Sequence, residues 1–164
     1  MRFYLIDRVL ELTPERSITA IKNLTLAEEY LADHFPGFPV LPGVLMLETM
    51  VQAGAWLIKV SREFEPSLVL LREAKALKFN SFVSPGKTLM VQLQVKKQQD
   101  RIWELQGTGT IDGSSAVSAR LSLEAFNLAE RNPELASSDQ RRRDAARELW
   151  NQIRPRDPTA SSTS

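Results

Sequence analysis

The segment 87–98 alternates apolar and polar residues, which is typical of a β-strand with one buried face. Val91, Leu93 and Val95 are apolar, and glutamines separate them. Other segments of similar length are rich in Ile, Leu, Val or aromatic residues, which favour strands. The predicted strands are Phe3 to Leu12, Ser17 to Leu24, Ser67 to Phe82, Lys87 to Gln98, Arg101 to Ile111 and Ser114 to Phe126.

Short groups of turn-forming residues separate these strands. Thr13 to Arg16 contains a proline and predicts a hairpin between the first two strands. Pro85-Gly86 and Gln99-Asp100 divide the later strands. Asp112-Gly113 is the strongest hairpin signal in the chain, because both residues tolerate the positive φ angles of a tight two-residue turn.

The pattern changes between Gly43 and about Arg62, where the length and the absence of proline predict a helix. At 100° per residue, Glu48, Gln52 and Lys59 fall within about 40° of one another and form one polar stripe. The rest of this helix is almost entirely apolar, so other elements should surround most of it. A transmembrane helix is the competing interpretation, but the apolar run is short and contains Glu48.

Six strands and one long buried helix early in the chain predict an α+β fold, in which an antiparallel sheet wraps around the helix. A chain of 164 residues with 43% apolar and 25% charged residues is typical of one globular domain. Residues Thr25 to Asp33 are predicted to form a short helical turn, with Thr25 as its N-cap and Glu28 three residues later.

The composition changes after Phe126. Residues 127–138 are predicted to be a loop, and 139–153 an amphipathic helix that carries Ala146, Leu149, Trp150 and Ile153 on one side. Residues 154–164 are rich in Pro, Ser and Thr and are predicted to be disordered. The chain therefore divides into a domain at 1–126, an extension at 127–153 and a tail at 154–164.

Charge and residue usage exclude several function classes. The formal net charge is +1, which gives no support to bulk binding of nucleic acid or membranes. The triplet Arg141 to Arg143 lies in the segment 128–164, which contains seven basic and six acidic residues. This balance favours a solvated helix face. Without cysteine, disulfides and thiolate chemistry are excluded, and a zinc site would need several carboxylates. Charge appears too early at the N-terminus for a secretory signal, so a cytoplasmic location is expected.

The stretch from His34 to Glu48 contains the candidate chemistry. It holds the only histidine of the chain, two Pro-Gly turns and, fourteen residues after the histidine, a carboxylate in an apolar helix. Histidine is the side chain whose ordinary pKa lies closest to neutrality. Burial among apolar side chains raises the pKa of a carboxyl group and so favours its neutral form. A neutral carboxylic acid beside an imidazole base is suited to proton-transfer chemistry.

The same stretch resembles the active-site signature of the beta-hydroxyacyl-acyl-carrier-protein dehydratases of type II fatty acid synthesis. The matching residues are His34-Phe35-Pro36-Gly37-x-Pro39-Val40-x-Pro42-Gly43-Val44-Leu45-x-x-Glu48-x-x-x-Gln52. Asp7 to Leu12, Ile21 to Asn23, Val83 to Gly86 and Trp103 to Gly113 resemble further parts of the family. The resemblance covers about residues 1 to 126, far more than a lone short motif.

This resemblance implies a hotdog fold, an antiparallel sheet wrapped around a central helix. It also implies a dimer whose sheets join edge to edge, with His34 of one chain facing Glu48 of the other. Family members often assemble such dimers into hexamers. No metal or organic cofactor is used in the family, and the substrate arrives on the phosphopantetheine arm of acyl carrier protein.

The resemblance further implies dehydration of (3R)-hydroxyacyl carrier protein to the trans-2-enoyl product. His34 would take the α-proton, Glu48 would protonate the departing hydroxyl, and Gln52 would orient that carboxyl or a bound water. The helix N-terminus at Gly43 and Val44 offers N–H donors for the thioester oxygen. Predicted residues of the acyl tunnel are Phe38, Leu41, Val44 and Leu45.

Two alternatives to this function stay open. One is a hotdog dehydratase or thioesterase of a specialised pathway, acting on another carrier or on coenzyme A. The other is a catalytically silent hotdog subunit, although such a subunit has no chemical need for His34 and Glu48. The chain also departs from the family at residues 80–82, where Asn80-Ser81-Phe82 replaces basic residues followed by proline. This change predicts altered docking of an acidic carrier protein.

Overall fold

All six predicted strands lie in one antiparallel sheet in the computed structural model, which describes residues 3–156. The order of strands across the sheet is β1-β2-β4-β5-β6-β3. The strands are β1 Arg8–Thr13, β2 Ser17–Asn23, β3 Leu68–Phe79, β4 Thr88–Gln99, β5 Ile102–Ile111 and β6 Ser114–Phe126. The turn between β5 and β6 has positive φ angles at both Asp112 and Gly113, as predicted.

The first strand is shorter than predicted, because residues 3–6 lie outside the sheet and the backbone of Phe3 and Leu5 bonds to the helix. The Leu5 N–H donates to Gln52 Oε1 at 2.9 Å, and Gln52 Nε2 donates to the Phe3 carbonyl at 3.1 Å. The helix side chain therefore satisfies backbone groups that a strand would otherwise pair. Leu5 itself is buried.

Helix α1, Gly43–Ser61, packs against one face of the sheet and forms the core with it, as predicted. A Cβ atom on Gly54 would lie 2.7 Å from Leu123 Cδ1 and 3.1 Å from Leu105 Cδ1, so a glycine allows the close approach of helix and sheet. By length and composition α1 is apolar enough to cross a membrane. Its residues from Met46 to Ile58 are instead largely buried within the protein, which identifies it as a core helix.

The segment before the histidine is less helical than predicted. It forms one 3₁₀ turn, Glu29–Leu31, whose N-cap position is Glu28 and not Thr25. The Glu28 carboxylate accepts hydrogen bonds from Lys22 Nζ at 2.7 Å, from the Thr25 N–H at 3.3 Å and from the Tyr30 hydroxyl. Burial alone would raise the pKa of Glu28, but these hydrogen bonds outweigh it and lower the pKa. This network fixes the chain that leads to His34.

The C-terminal extension folds back onto α1. Residues 127–138, predicted to be a loop, contain 3₁₀ turns at Leu128–Glu130 and Pro133–Leu135, and helix α2 follows at Ala136–Ile153. Its predicted apolar side packs on the core, and the rings of Trp56 and Trp150 lie 5.8 Å apart. Most of the predicted tail, residues 157–164, lies outside the described residues.

Asp139 anchors the start of α2. Its carboxylate accepts hydrogen bonds from the N–H groups of Leu128 (2.9 Å) and Ala129 (2.8 Å) and from the Ser67 hydroxyl. Desolvation would raise the pKa of this buried carboxyl. The three hydrogen bonds and the nearby Arg143 outweigh that effect and hold the pKa below its ordinary value. Asp139 thus joins the extension to the start of β3 as an ion.

We expect Asp139→Asn to lower the melting temperature by several degrees at neutral pH. The N–H groups of Leu128 and Ala129 donate to different carboxylate oxygens, so either orientation of an asparagine amide sets an NH₂ group against a donor. The pKa of Asp139 is lowered in the folded protein. The extra stability of the native protein over the variant should therefore be lost as the pH falls through that pKa. Thermal unfolding between neutral and acid pH measures both effects.

The matched control for this substitution is Asp144→Asn, on the same helix. Asp144 is exposed and makes an i,i+3 ion pair with Arg147 at 3.3 Å, which contributes little to stability. Equal melting temperatures for the two variants would contradict the anchoring role of Asp139.

Candidate active site

The candidate histidine begins a closed loop of seven residues. The Val40 N–H donates to the His34 carbonyl at 3.0 Å and closes the loop at its base. Inside the loop, the Phe35 N–H donates to the Phe38 carbonyl at 3.2 Å, and the Phe38 N–H donates back at 2.9 Å. Gly37 at the tip has a φ angle of 78°, which glycine adopts without steric cost. Of the two predicted Pro-Gly turns, Pro36-Gly37 lies in this loop and helps to hold His34 in a fixed backbone geometry. Pro42-Gly43 forms no separate turn and instead begins helix α1, with Pro42 as its N-cap.

The imidazole of His34 is oriented by the same residue that closes the loop. Its Nδ1 lies 3.0 Å from the Val40 carbonyl oxygen, which can only accept a hydrogen bond. Nδ1 of the neutral ring therefore carries the proton, and Nε2 is left as the acceptor. The ring also stacks on Phe35, with 4.1 Å between ring centroids. Such a ring is suited to act as a base through Nε2.

His34 lines a cleft of about 530 Å³ at the beginning of α1. The other lining residues are Phe35, Leu41, Gly43, Met46, Phe79, Asn80, Ser81 and Phe82. The Phe79 ring packs directly over Gly43, since a Cβ atom there would lie 3.1 Å from the ring. Any side chain at position 43 would meet this ring, so the glycine allows Phe79 to pack closely against the first turn of α1.

The start of α1 supplies hydrogen-bond donors at this cleft. The Pro42 carbonyl accepts the N–H groups of Leu45 at 2.9 Å and Met46 at 3.2 Å. The N–H groups of Gly43 and Val44 precede these and, as in any first helical turn, have no intrahelical acceptor. Together with the positive end of the helix dipole, they suit an oxygen on which negative charge develops.

Glu48 and Gln52 lie one turn apart on α1, on the predicted polar stripe. Gln52 Nε2 donates to Glu48 Oε1 at 2.9 Å, and the amide also binds the backbone of residues 3 and 5. Both side chains are half-buried. Neither residue lines the cleft that contains His34. The third member of the stripe, Lys59, instead donates to the carbonyls of Pro66 and Ser67.

The predicted tunnel residues occupy different environments. Leu41 lines the cleft beside His34, and Phe38 contacts Phe82 edge-to-face with 5.8 Å between centroids. Val44 is 69% exposed, and Leu45 packs partly against the core. Neither of these two lines the cleft of a single chain, so their tunnel role stays a prediction.

Phe79 and Phe82 line the cleft, and neither was predicted from the sequence to do so. Residues 80–82 were predicted only to be a departure from the family pattern. Both rings are exposed in the structure, 48% for Phe79 and 65% for Phe82, and the sequence alone does not show this exposure. Large exposed apolar side chains in such a group indicate a binding surface.

Within residues 3–156, no three His, Asp or Glu side chains come together as a metal would require.

Fold and site together define a protein of the hotdog class, with a histidine in a cleft beside the first turn of its central helix. A family model, the FabA-like domain, matches residues 1–120. The 3-hydroxyacyl-[acyl-carrier-protein] dehydratase FabZ of Myxococcus xanthus is 40% identical over 114 residues, which cover 68% of this chain and 74% of that one. The dehydratase of the same name from Oleidesulfovibrio alaskensis is 35% identical over 127 residues, covering 76% and 82%.

The chain therefore belongs to the FabA-like family, among the relatives of the FabZ dehydratases. This confirms the predicted resemblance and the predicted enzyme class. A solved structure, the dehydratase heterocomplex ApeI:P from Xenorhabdus doucetiae, matches with a TM-score of 0.66 at 19% identity, covering 81% of this chain and 90% of that one. That match supports the hotdog fold. The family match ends before α2, so the extension lies outside it.

Proposed function

We propose that this protein dehydrates (3R)-hydroxyacyl groups carried on acyl carrier protein and forms the trans-2-enoyl thioester, as in type II fatty acid synthesis. The observation that carries the proposal is the orientation of His34, whose Nδ1 donates to Val40 and leaves Nε2 as a base in a cleft at the beginning of α1. The names of the curated relatives support the substrate class.

In the proposed reaction, the enzyme removes one proton from the substrate and supplies one proton to the leaving group. His34 Nε2 removes the α-proton of the thioester, and the electron pair of that C–H bond forms the new double bond. The β-hydroxyl leaves with its bonding electrons and takes a proton from the Glu48 carboxyl, which forms water. The N–H groups of Gly43 and Val44 stabilise the negative charge that develops on the thioester oxygen.

The proposed acid comes from a second subunit. Within one chain, His34 lines the cleft and Glu48 does not. Strand β3, which has twelve residues, lies at one edge of the sheet and pairs only with β6 among the described strands. The unpaired backbone N–H and C=O groups of a long edge strand can pair with the edge of a second sheet. Exposed apolar residues near the cleft, among them Phe35, Phe38 and Val44, would be covered in such a dimer. Assembly of the dimers into a hexamer, absence of a cofactor and a cytoplasmic location stay predictions.

The direct test is to incubate the purified full chain with a (3R)-hydroxyacyl carrier protein and to follow the acyl group by mass spectrometry. We expect loss of one water with the acyl group still attached to the carrier. The same substrate on coenzyme A should react more slowly, since the carrier protein contributes binding. Release of a free acid would instead indicate a thioesterase, and no change at all would indicate a silent subunit.

A further inference from the structure

A second cleft lies between α1 and α2, and it shares no lining residue with the cleft at His34. Its volume is about 530 Å³, which is within the usual range of small-molecule sites. The C-terminal extension forms one wall of it, so the cleft exists only because α2 folds back on α1. The lining residues that carry charge or large apolar surface are Trp56, Lys59, Arg141, Arg142 and Leu149.

The cleft combines an apolar surface with three cations. Trp56, Leu149 and two alanines provide the apolar part, while Lys59, Arg141 and Arg142 provide the positive charge. Across residues 3–156, no carboxylate lies within ion-pair distance of any of these three cations. Positive charge is therefore concentrated in the cleft without a described counter-ion.

Lys59 is the most constrained of the three cations. Its ammonium donates to the Pro66 carbonyl at 3.2 Å and to the Ser67 carbonyl at 2.9 Å. An ammonium has three donors, so one N–H remains for a ligand in the cleft. Burial, followed by the charge of Arg142, lowers the pKa of Lys59 to about 8. The negative charge of an anion in the cleft would stabilise the charged ammonium and offset the repulsion from Arg142.

We propose that this cleft binds an amphiphilic anion, an alkyl chain that ends in a carboxylate. Its carboxylate would lie against Lys59 and Arg142, and its chain would lie on Trp56 and Leu149. Charge alone would suit an inorganic anion, and apolar surface alone would suit an alcohol, but the lining contains both in one place. The proposal does not depend on the reaction proposed for His34, since the two clefts are separate.

The test is a titration of the full chain with decanoate below its micellar concentration, followed by calorimetry and by tryptophan fluorescence. Trp56 lines the cleft, and the centroid of the Trp150 ring lies 5.8 Å from that of Trp56. Tryptophan fluorescence should therefore change when a ligand occupies the cleft. We expect saturable binding of one decanoate per chain. Inorganic phosphate, which has no chain, and decanol, which has no charge, should bind at least about tenfold more weakly.

Substitutions locate the binding. Lys59→Met keeps most of the length of the side chain and removes the charge, and it should weaken decanoate binding about tenfold. Arg142→Gln, at an exposed position that does not threaten folding, should weaken binding about threefold. Arg16→Gln, which removes an equal charge from the exposed β1–β2 turn, and His34→Ala should leave the affinity unchanged.

Three results would overturn the proposal. One is equal affinity for decanol and decanoate, because the cations would then contribute nothing. Another is loss of binding in His34→Ala with no change in Arg142→Gln, which would assign the decanoate to the other cleft. The third is the absence of saturable binding. If Lys59→Met does not fold, the comparison of Arg142→Gln with Arg16→Gln decides alone.

Discussion

His34→Ala is expected to lower the rate of dehydration at least about a hundredfold, the usual scale for loss of a general base. The hydrogen bond from Nδ1 to the Val40 carbonyl directs Nε2 to the substrate, and no other histidine in the chain can replace it. The measurement is kcat for conversion of a hydroxyacyl carrier protein, read as the mass of the enoyl product. Binding of substrate should change less than kcat, because the proton is transferred only in the transition state.

Two controls make the result specific. Asp33→Ala changes the neighbouring exposed residue and should keep a nearly native rate. Circular dichroism should show equal folding of both variants, since alanine removes a ring from a half-buried position outside the main core. A near-native rate in folded His34→Ala would rule out the proposed mechanism.

Glu48→Gln is expected to cause a loss of similar size, about a hundredfold, because the amide cannot donate a proton to the departing hydroxyl. The substitution keeps the shape of the side chain and its place beside Gln52. The variant should therefore fold and assemble as the native chain does. Comparison of kcat for the native and variant proteins measures the loss.

Mixing the two inactive variants tests where the acid comes from. If each site takes His34 from one chain and Glu48 from its partner, re-associated mixtures of His34→Ala and Glu48→Gln should recover about one quarter of the native activity, since random pairing in a symmetric dimer makes that share of sites intact. Recovery should require exchange of subunits, which brief denaturant treatment and refolding provides. If the mixture stays inactive after proven exchange, both residues act within one chain.

The sequence predicted the main elements because their patterns are local. The helix at Gly43–Ser61 and four strands from Leu68 to Phe126 match the predicted segments closely. Errors occur where a distant side chain competes with the local pattern. Residues 3–6 are as apolar as a strand, but the amide of Gln52, almost fifty positions away, binds the backbone of Phe3 and Leu5. No local pattern contains that information.

The candidate site was predictable in its residues but only partly in its arrangement. The stretch from His34 to Glu48 indicated a base, an acid and the supporting turns. The tautomer of His34 follows from a contact with Val40 that only the folded loop shows. Phe79 belongs to a strand 36 residues after Gly43 in the sequence, and its ring reaches the helix only through the sheet order. The anchor at Asp139 was likewise hidden, since one of its partners, Ser67, lies 72 positions earlier in the sequence.

The loop that fixes His34 has a practical consequence for spectroscopy. Because the chain contains one histidine, its untagged form gives a single set of imidazole signals in nitrogen-15 NMR, with no need for assignment. Nδ1 bonded to a carbonyl and Nε2 bearing a lone pair have widely separated shifts, so one spectrum reports the tautomer directly. The protein thus carries its own internal probe, which can follow protonation of the base through substrate binding and turnover.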